Sequence, residues 1–423
     1  MDMMELLRFF WLKNRSLITD DMDLCMGRLK ELLPDLVIHE YPSGMEAWTW
    51  IVPPKWVVRD AYIEELDGSR ILSFAEHPLS LVSYSEPFEG EVSREELLRH
   101  LHSSEARPSA FPYVFKYYER DWGLCMPYER VQRLTQPRYR VKIDTAFVPG
   151  TLKVGELVVP GETEDSIVLI SNLCHPGQVN DSVTGAVVAA SIAEQLLRRR
   201  MHYTYRILFL PETIGSICYL SQNEGLIPRL KYAMFFEMLG TSGEHVLTHS
   251  YPGDSKIDRV ATRVLQWTMG KFREARFREV APSDEKVFNG PGVGIPTLNI
   301  TRAPYPYPEY HTSDDNPSII EGERLEESRD LILKILEVMD SDFVPVRQFR
   351  GPAFLSRYGL WVDWRRDWTM NMAIDLIMLL MDGVRSVFDI ADAINREFEL
   401  AVQYDQVRDF VTRALDKGLV RRG

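Results

Sequence analysis

The sequence predicts an α/β protein built on a mixed, largely parallel sheet. From Gly150 to about Met339, short apolar runs alternate with longer helix-like segments, the pattern left by crossover connections between parallel strands. One run, Ser166–Ser171, is apolar from Ile167 to Ile170 without a polar break, as a strand covered on both faces should be. It leads into a polar turn holding His175 and Asp181, and Gly185 then opens a small-residue helix, Ala186 to Leu197. Open α/β sheets bind ligands at the carboxyl ends of their strands, which makes this turn the first candidate for chemistry. Taken alone, the same residues also read as a turn histidine and a helix-capping aspartate.

In chain order, residues 17–33 read as an amphipathic helix with Leu24, Met26, Leu29 and Leu32–Leu33 as its apolar stripe, ended by Pro34. Val37 to Gly44 reads as a strand and turn. Trp48 to Val52 reads as a strand closed by Pro53 and Pro54. From Trp56 to about Val148 the pattern changes to short β-like runs (Ala61–Ile63, Leu81–Tyr84, Tyr139–Ile143) and one helix opened by Ser93 with Glu96. This is expected to be a small inserted β-rich domain, with Phe111, Tyr113, Phe115, Tyr117, Tyr118 and Trp122 in its core. The central domain then supplies strands at 166–171, 205–210, 232–238, 245–248 and 297–301, and helices at 185–199, 215–224, 256–270 and 320–340. Residues 345–351 read as a turn-rich basic linker. Three helical segments (370–381, 387–398, 404–417) and a β-like tail suggest a winged-helix module. The expected boundaries are 1–55 for the first part of the central domain, 56–148 for the insert, 149–345 for the rest of the central domain and 346–423 for the C-terminal module.

Composition narrows the classes. A 423-residue chain with 45% hydrophobic residues can bury a large core and has room for two or three domains. A net charge of −13 argues against a general nucleic-acid binder. The C-terminal module, with twelve basic and eleven acidic side chains between Val346 and Gly423, points to a protein partner or a structural role rather than to DNA. Cys25, Cys125, Cys174 and Cys218 are widely spaced, which suits reduced thiols in a cytoplasmic protein. The acidic N-terminus does not resemble a signal peptide, and the apolar stretch 370–381, broken by Asp375, is too short to span a membrane.

Four of the five central strands lead to an ionisable group. Ser166–Ser171 leads to His175 and Asp181, the 205–210 run to Glu212, the 232–238 run to Glu237, and the 297–301 run, through a Pro/Tyr loop, to His311. Two imidazoles and three carboxylates at one sheet edge suit Zn²⁺, and a bridging carboxylate could hold two such ions. Each residue also has a plainer reading. Glu237 could pair with an arginine, Glu212 could sit at a helix start, and His311 could be a loop histidine.

His175-Pro-Gly-Gln-Val-Asn-Asp-Ser-Val-Thr-Gly185, Pro211-Glu-Thr-Ile-Gly-Ser216, Phe236-Glu-Met-Leu-Gly240 and Tyr310-His-Thr-Ser-Asp-Asp315, in this order, resemble the co-catalytic zinc aminopeptidase superfamily. More closely, the chain resembles a bacterial family of aminopeptidase-like proteins. Tyr41-Pro-Ser-Gly44, Trp50-Ile-Val-Pro53, Arg120 to Cys125, Ser283-Asp-Glu285 and Ser356-Arg-Tyr-Gly-Leu360 fit that family over nearly the whole chain. The resemblance implies a zinc-exopeptidase-like three-layer sandwich. It implies His175 and Glu237 on one zinc, Asp181 as the bridge and His311 at the second position. Glu212 falls where the superfamily carries a Glu-Glu pair. Aligned on Gly215 it is the general base and Thr213 stands where a ligand is expected. Shifted by one, it is the ligand and Pro211 takes the base position. Gly177 stands where the superfamily has an Asp that supports the first His.

The expected activity is zinc-dependent amide hydrolysis of the aminopeptidase type, with one or two ions and a small peptide or amide as substrate. The metal, or acids near the site such as Asp314 or Asp315, would hold the substrate amine, and the 303–310 loop would form an aromatic rim. The alternatives are a non-catalytic binding protein on the same fold, and an amidase or deacylase of sugar-linked substrates. The family resemblance invites the last of these, because such proteins often sit near polysaccharide-synthesis genes, but nothing in these residues selects a sugar. A homo-oligomer is compatible with all three.

Overall fold

The computed structural model describes residues 1–423 and divides into two compact units. The first comprises Met1–Ser255 with Lys271–Asp330, the second Lys256–Gly270 with Leu331–Gly423. The segment 256–270 thus groups with the C-terminal residues rather than with the central sheet.

The first unit is organised on an eight-stranded mixed sheet. Its strands are β1 (Val37–Pro42), β2 (Thr151–Val159), β3 (Ser166–Asn172), β4 (Thr204–Leu210), β5 (Leu230–Phe236), β6 (His245–Thr248), β7 (Phe272–Ala275) and β8 (Thr297–Arg302). Their order is β1-β2-β4-β3-β5-β8-β6-β7. The four neighbours β4, β3, β5 and β8 are mutually parallel, with Asn172 opposite Leu210, Ile170 opposite Phe235 and Phe236 opposite Ile300. Their carboxyl ends therefore fall on one edge, as the sequence pattern requires. β2 and β7 were not expected. β2 carries Gly155 and Glu156 in mid-strand, and β7 is short and lies at the sheet's edge. The run beginning at Tyr232 ends at Phe236 as a strand, which leaves Glu237 just beyond it.

Every residue of β3 is buried, which explains its unbroken apolar run. The helix Val183–Leu196 that follows is almost wholly buried too, and its Ala and Gly residues let it pack close. A Cβ on Gly185 would lie 2.2 Å from the Phe236 carbonyl oxygen, so only glycine allows this helix to start against the end of β5. That contact brings the Asp181 turn beside Glu237. An N-terminal helix, Met3–Trp11, was not read from the sequence. It is capped by Asp2, buries Met3, Leu6, Leu7 and Phe10, and packs on the Val183–Leu196 helix. The next helix, Asp20–Leu32, buries Met22, Cys25, Met26 and Leu29, while Leu24, expected in its stripe, is exposed.

Between β1 and β2 the chain forms a separate antiparallel sheet of Lys55–Glu64, Arg70–Ser73, Phe88–Ser93 and Arg138–Val148. Leu81–Tyr84, expected as a strand, makes only isolated bridges. In the second unit, helices Trp368–Leu380, Val387–Glu397 and Tyr404–Asp416 follow one another. Pro345–Arg347, expected as linker, is a strand paired with the tail Val420–Arg422. Arg259 and Arg263 pair with Asp389 and Asp392 within this unit.

Two buried polar assemblies fix the frame of the first unit. Arg15 is fully buried and uses all five donors on carbonyl oxygens. Nε donates to Phe10, Nη1 to Leu173 (2.6 Å) and Cys174 (2.8 Å), and Nη2 to His175 and Gln178 (both 2.7 Å). One guanidinium thus satisfies the loop that carries His175. Glu156 on β2 accepts from Arg206 on β4 (2.7 Å) and Tyr219 (2.6 Å), and pairs with His39 on β1 (2.7 Å). Burial opposes its charge, but these partners hold the carboxyl down at about 2.

Lysine at position 15 keeps the charge but not the fork. Arg15→Lys is expected to destabilise the protein by about 3 kcal/mol in denaturant titration, because several buried carbonyls lose their donor. An unchanged midpoint would contradict the clamp. The folded pKa of Glu156 lies below its unfolded value, so its stabilisation is present above pH ~4.5 and is lost as pH falls toward 2. Glu156→Gln should cost about 3 kcal/mol at pH 7, and the gap to wild type should close over that acid range.

Candidate metal centre

The four parallel strands deliver the expected residues to one edge. His175, Asp181 and His311 offer ligand atoms that all lie within 4.8 Å of one another. Nε2 of His311 is 3.1 Å from Oδ2 of Asp181, and the two imidazole rings lie 5.8 Å apart at 28°. Glu212 approaches from the end of β4, with Oε2 3.5 Å from Nε2 of His175. Glu237, fully buried, has Asp181, Glu212, Glu285 and Asp284 as its main charged neighbours. The arginine pairing considered for it from the sequence is not formed, and Glu237 makes no salt bridge. Burial, and then these four acids, push its carboxyl well above the usual range.

Asp181 behaves in the opposite way. Its burial would raise its pKa, but the charges and hydrogen bonding of His175 and His311, with Arg15 behind them, hold it below the ordinary value. Apart from the His311 ring at 3.1 Å, Oδ2 of Asp181 has no hydrogen-bond donor. Oδ2 of Asp284 and Oε1 of Glu285 are likewise buried without a donor. Buried acceptor atoms left undonated are costly unless a cation takes their place. Two imidazoles and several carboxylates are the donor types that zinc accepts, so the residues present fit a metal ion.

Several residues that hold this arrangement were not singled out from the sequence. Cys174 lies between two of the site groups. Its Sγ is 3.4 Å from Nδ1 of His175 and accepts the Glu212 backbone N–H at 3.2 Å. Burial keeps this thiol protonated, with its pKa far above normal. Asp284 accepts the Thr213 N–H (3.0 Å) and the Ser216 hydroxyl, and burial beside Glu212 raises its carboxyl to about 7. The consecutive acids in Ser283-Asp-Glu285, both buried, were the visible hint. Gly177 has a positive φ of 68°, and a Cβ there would meet the His77 ring at 2.5 Å. The position of the expected supporting Asp is thus closed by the inserted segment.

Other expectations change. Asp315 is buried and committed, accepting from the Asn180 and Asp181 N–H groups (2.8 and 3.0 Å) and from the Tyr307 hydroxyl (2.6 Å). Asp314 pairs with Arg107 at 2.7 Å. Neither is free to hold a substrate amine. They tie the His311 loop to the Asp181 turn and to the insert. Tyr310 of the Pro/Tyr loop stacks on His311 at 3.9 Å. The aromatic run of the insert is only partly core. Trp122 stacks between Phe88 and His100, but Tyr113 meets both His175 and His311 edge-on at 5.2 Å. Phe115, Tyr117 and Tyr118 line a cavity of about 200 Å³ with His175 and Glu212. The reason is irregular backbone. Residues 111–113 do not alternate like a strand but lace onto 311–313, with Tyr113 N–H donating to His311 O at 2.8 Å.

The backbone is strained where the site is built. His175, Thr213, Met238 and His311 all have positive φ, at 72°, 63°, 53° and 56°. Each such non-glycine residue costs about 1–3 kcal/mol, and such outliers gather at functional sites.

A family described as a domain of unknown function, DUF4910, matches residues 4–342. A Clostridium acetobutylicum protein, named for polysaccharide biosynthesis and an aminopeptidase-like domain, is 30% identical over 389 residues, 91% of this chain and 89% of its own length. A crystal structure from C. acetobutylicum, described as a peptidase by assignment, superposes with a TM-score of 0.91 at 27% identity, covering 100% of this chain and 96% of that one. A zinc aminopeptidase from Bacillus subtilis shares the fold at a TM-score of 0.59 and 13% identity, over 80% of this chain and 93% of its own. On this evidence the chain belongs to the DUF4910 family of aminopeptidase-like proteins, whose fold is that of the zinc aminopeptidases.

Proposed function

We propose that the protein is a zinc-dependent amide hydrolase of the aminopeptidase type. His175, Asp181, Glu237 and His311 would hold the metal, and Glu212 would serve as the general base. The observation that carries this is the cluster of His175, Asp181 and His311, whose ligand atoms lie within 4.8 Å of one another at the carboxyl edge of a parallel sheet. Zinc bound there would polarise a scissile carbonyl and lower the pKa of its water to about 7.

The chain's own residues have separable tasks. Asp181 can bridge one ion to a second. Thr213 offers no carboxylate, so the donor set serves one ion better than two. Cys174 supports His175. If Nδ1–H donates to the thiol sulfur, Nε2 keeps its lone pair for the site. Glu212 faces the cavity and is partly exposed, whereas the ligand candidates Asp181 and Glu237 are buried. A carboxylate at a solvent-connected position can take a proton from water and return it to the leaving amine. Tyr113, Tyr117 and Phe115 wall the cavity and limit the water that reaches it.

Two measurements test this. The purified protein should bind zinc, and Asp181→Asn or His311→Ala should lower its zinc content in metal analysis. Glu212→Gln should retain zinc while kcat on aminoacyl amides falls by about 10²–10⁴-fold. Zinc lost together with activity would make Glu212 a ligand instead. Wild type that holds zinc but hydrolyses no aminoacyl amide would favour a binding protein on the peptidase fold.

A further inference from the structure

The cavity beside His175 and Glu212, at about 200 Å³, is small for anything beyond a single residue of a peptide. A second cleft adjoins it. Trp50, Tyr117 and Tyr118 form part of its wall and also part of the wall of a second, larger cleft of about 840 Å³. That cleft runs between the Ser43–Pro54 segment and the strand that ends at Val148. Three aromatic side chains are thus common to the cavity beside His175 and to the groove next to it.

The groove's chemistry is one-sided. Its walls are Trp50, Ile51, Val52, Pro53 and Phe147 with the shared tyrosines, and no carboxylate lines it. The polar groups are mostly spent within the protein. Tyr118 donates its hydroxyl to the Ile51 carbonyl at 3.1 Å, and Ser43 exchanges hydrogen bonds with the Gly150 backbone at 3.0 Å. Arg120, the one charged lining residue, lies over the Phe147 ring at 4.7 Å. Ile51 is 54% exposed, Tyr118 56% and Trp50 37%, so a large apolar surface stands open beside the site. A sugar needs many free donors and acceptors, and few remain here. An apolar side chain needs only area and shape.

We propose that this groove is a second subsite that binds a bulky apolar or aromatic group of the substrate, at a distance from the scissile amide. The substrate class is therefore an extended peptide-like amide with a large apolar residue beyond the one at the metal. The assignment rests on the hydrolytic reading of the His175–Glu212 cavity, since the groove is placed by the three side chains it shares with that cavity. The inserted segment supplies one wall, with Tyr117, Tyr118 and Phe147, and the Ser43–Pro54 segment that precedes it supplies the other, which gives the insert a role in selecting substrate.

The test compares Leu-Phe-Phe with Leu-Gly-Gly by isothermal titration into the Glu212→Gln protein in Zn²⁺-containing buffer. Leu-Phe-Phe is expected to bind on the order of tenfold more tightly or better. Ile51→Asp, which sets a carboxylate on the open apolar wall, should bring that ratio close to one while circular dichroism and thermal midpoint stay unchanged. Equal affinities in the parent protein, a ratio that survives Ile51→Asp, or tighter binding of an N-acetylglucosamine dimer than of Leu-Phe-Phe would each overturn the proposal. Hydrolysis by wild type is read separately. Discrimination without hydrolysis would sink the enzymatic reading and leave the groove as a binding site for apolar peptide side chains only, and hydrolysis of both peptides with equal affinity would sink the groove alone.

Discussion

The central constraint on this protein is electrostatic. Asp181, Glu212, Glu237, Asp284 and Glu285 meet at the carboxyl edge of the central sheet, and all but Glu212 are buried. The positive charge within reach is less than the negative: two imidazoles, the clamp of Arg15, and Arg278 and Lys286 beside Glu285 and Asp284. Carboxylates that cannot be hydrated either take up protons or share a cation. The pKa of Glu237, raised by burial and by its acidic neighbours, and that of Asp284, raised to about 7, reflect this crowding. A divalent metal would let the acids keep their charge.

Much of the surrounding structure keeps these groups from moving apart. Arg15 fixes the loop of His175 through four of its carbonyls, and Asp315 pins the Asp181 turn and Tyr307 at once. Cys174 links His175 to the Glu212 backbone. The insert contributes too, since its 111–113 strip is bonded to the His311 loop. The positive φ angles at His175, Thr213, Met238 and His311 are tolerated because so many bonds over-determine these loops.

What was legible in the sequence follows from locality. Buried parallel strands announce themselves as apolar runs, and a polar residue just beyond such a run must lie at the strand's carboxyl end. That logic placed His175, Asp181, Glu212, Glu237 and His311 together without any knowledge of register. What was not legible depends on partners far apart in the chain. Arg15 acts on residues about 160 positions away, and nothing in its neighbourhood of sequence says so. The aromatic residues 111–118 read as core because aromatics usually are. Only the lacing to 311–313 turns Tyr113 toward the histidines. The C-terminal helices were legible by period, but Pro345–Arg347 pairs with a strand at the chain's far end and so looked like linker.

The account stands on a cation among His175, Asp181, Glu237 and His311. Crystals grown with Zn²⁺ and measured on either side of the zinc absorption edge test this directly. The account predicts an anomalous difference peak enclosed by the His175, Asp181 and His311 side chains, with Glu237 turned onto it. An ordered structure with no such peak, its acids instead protonated and hydrogen-bonded to one another, would contradict it.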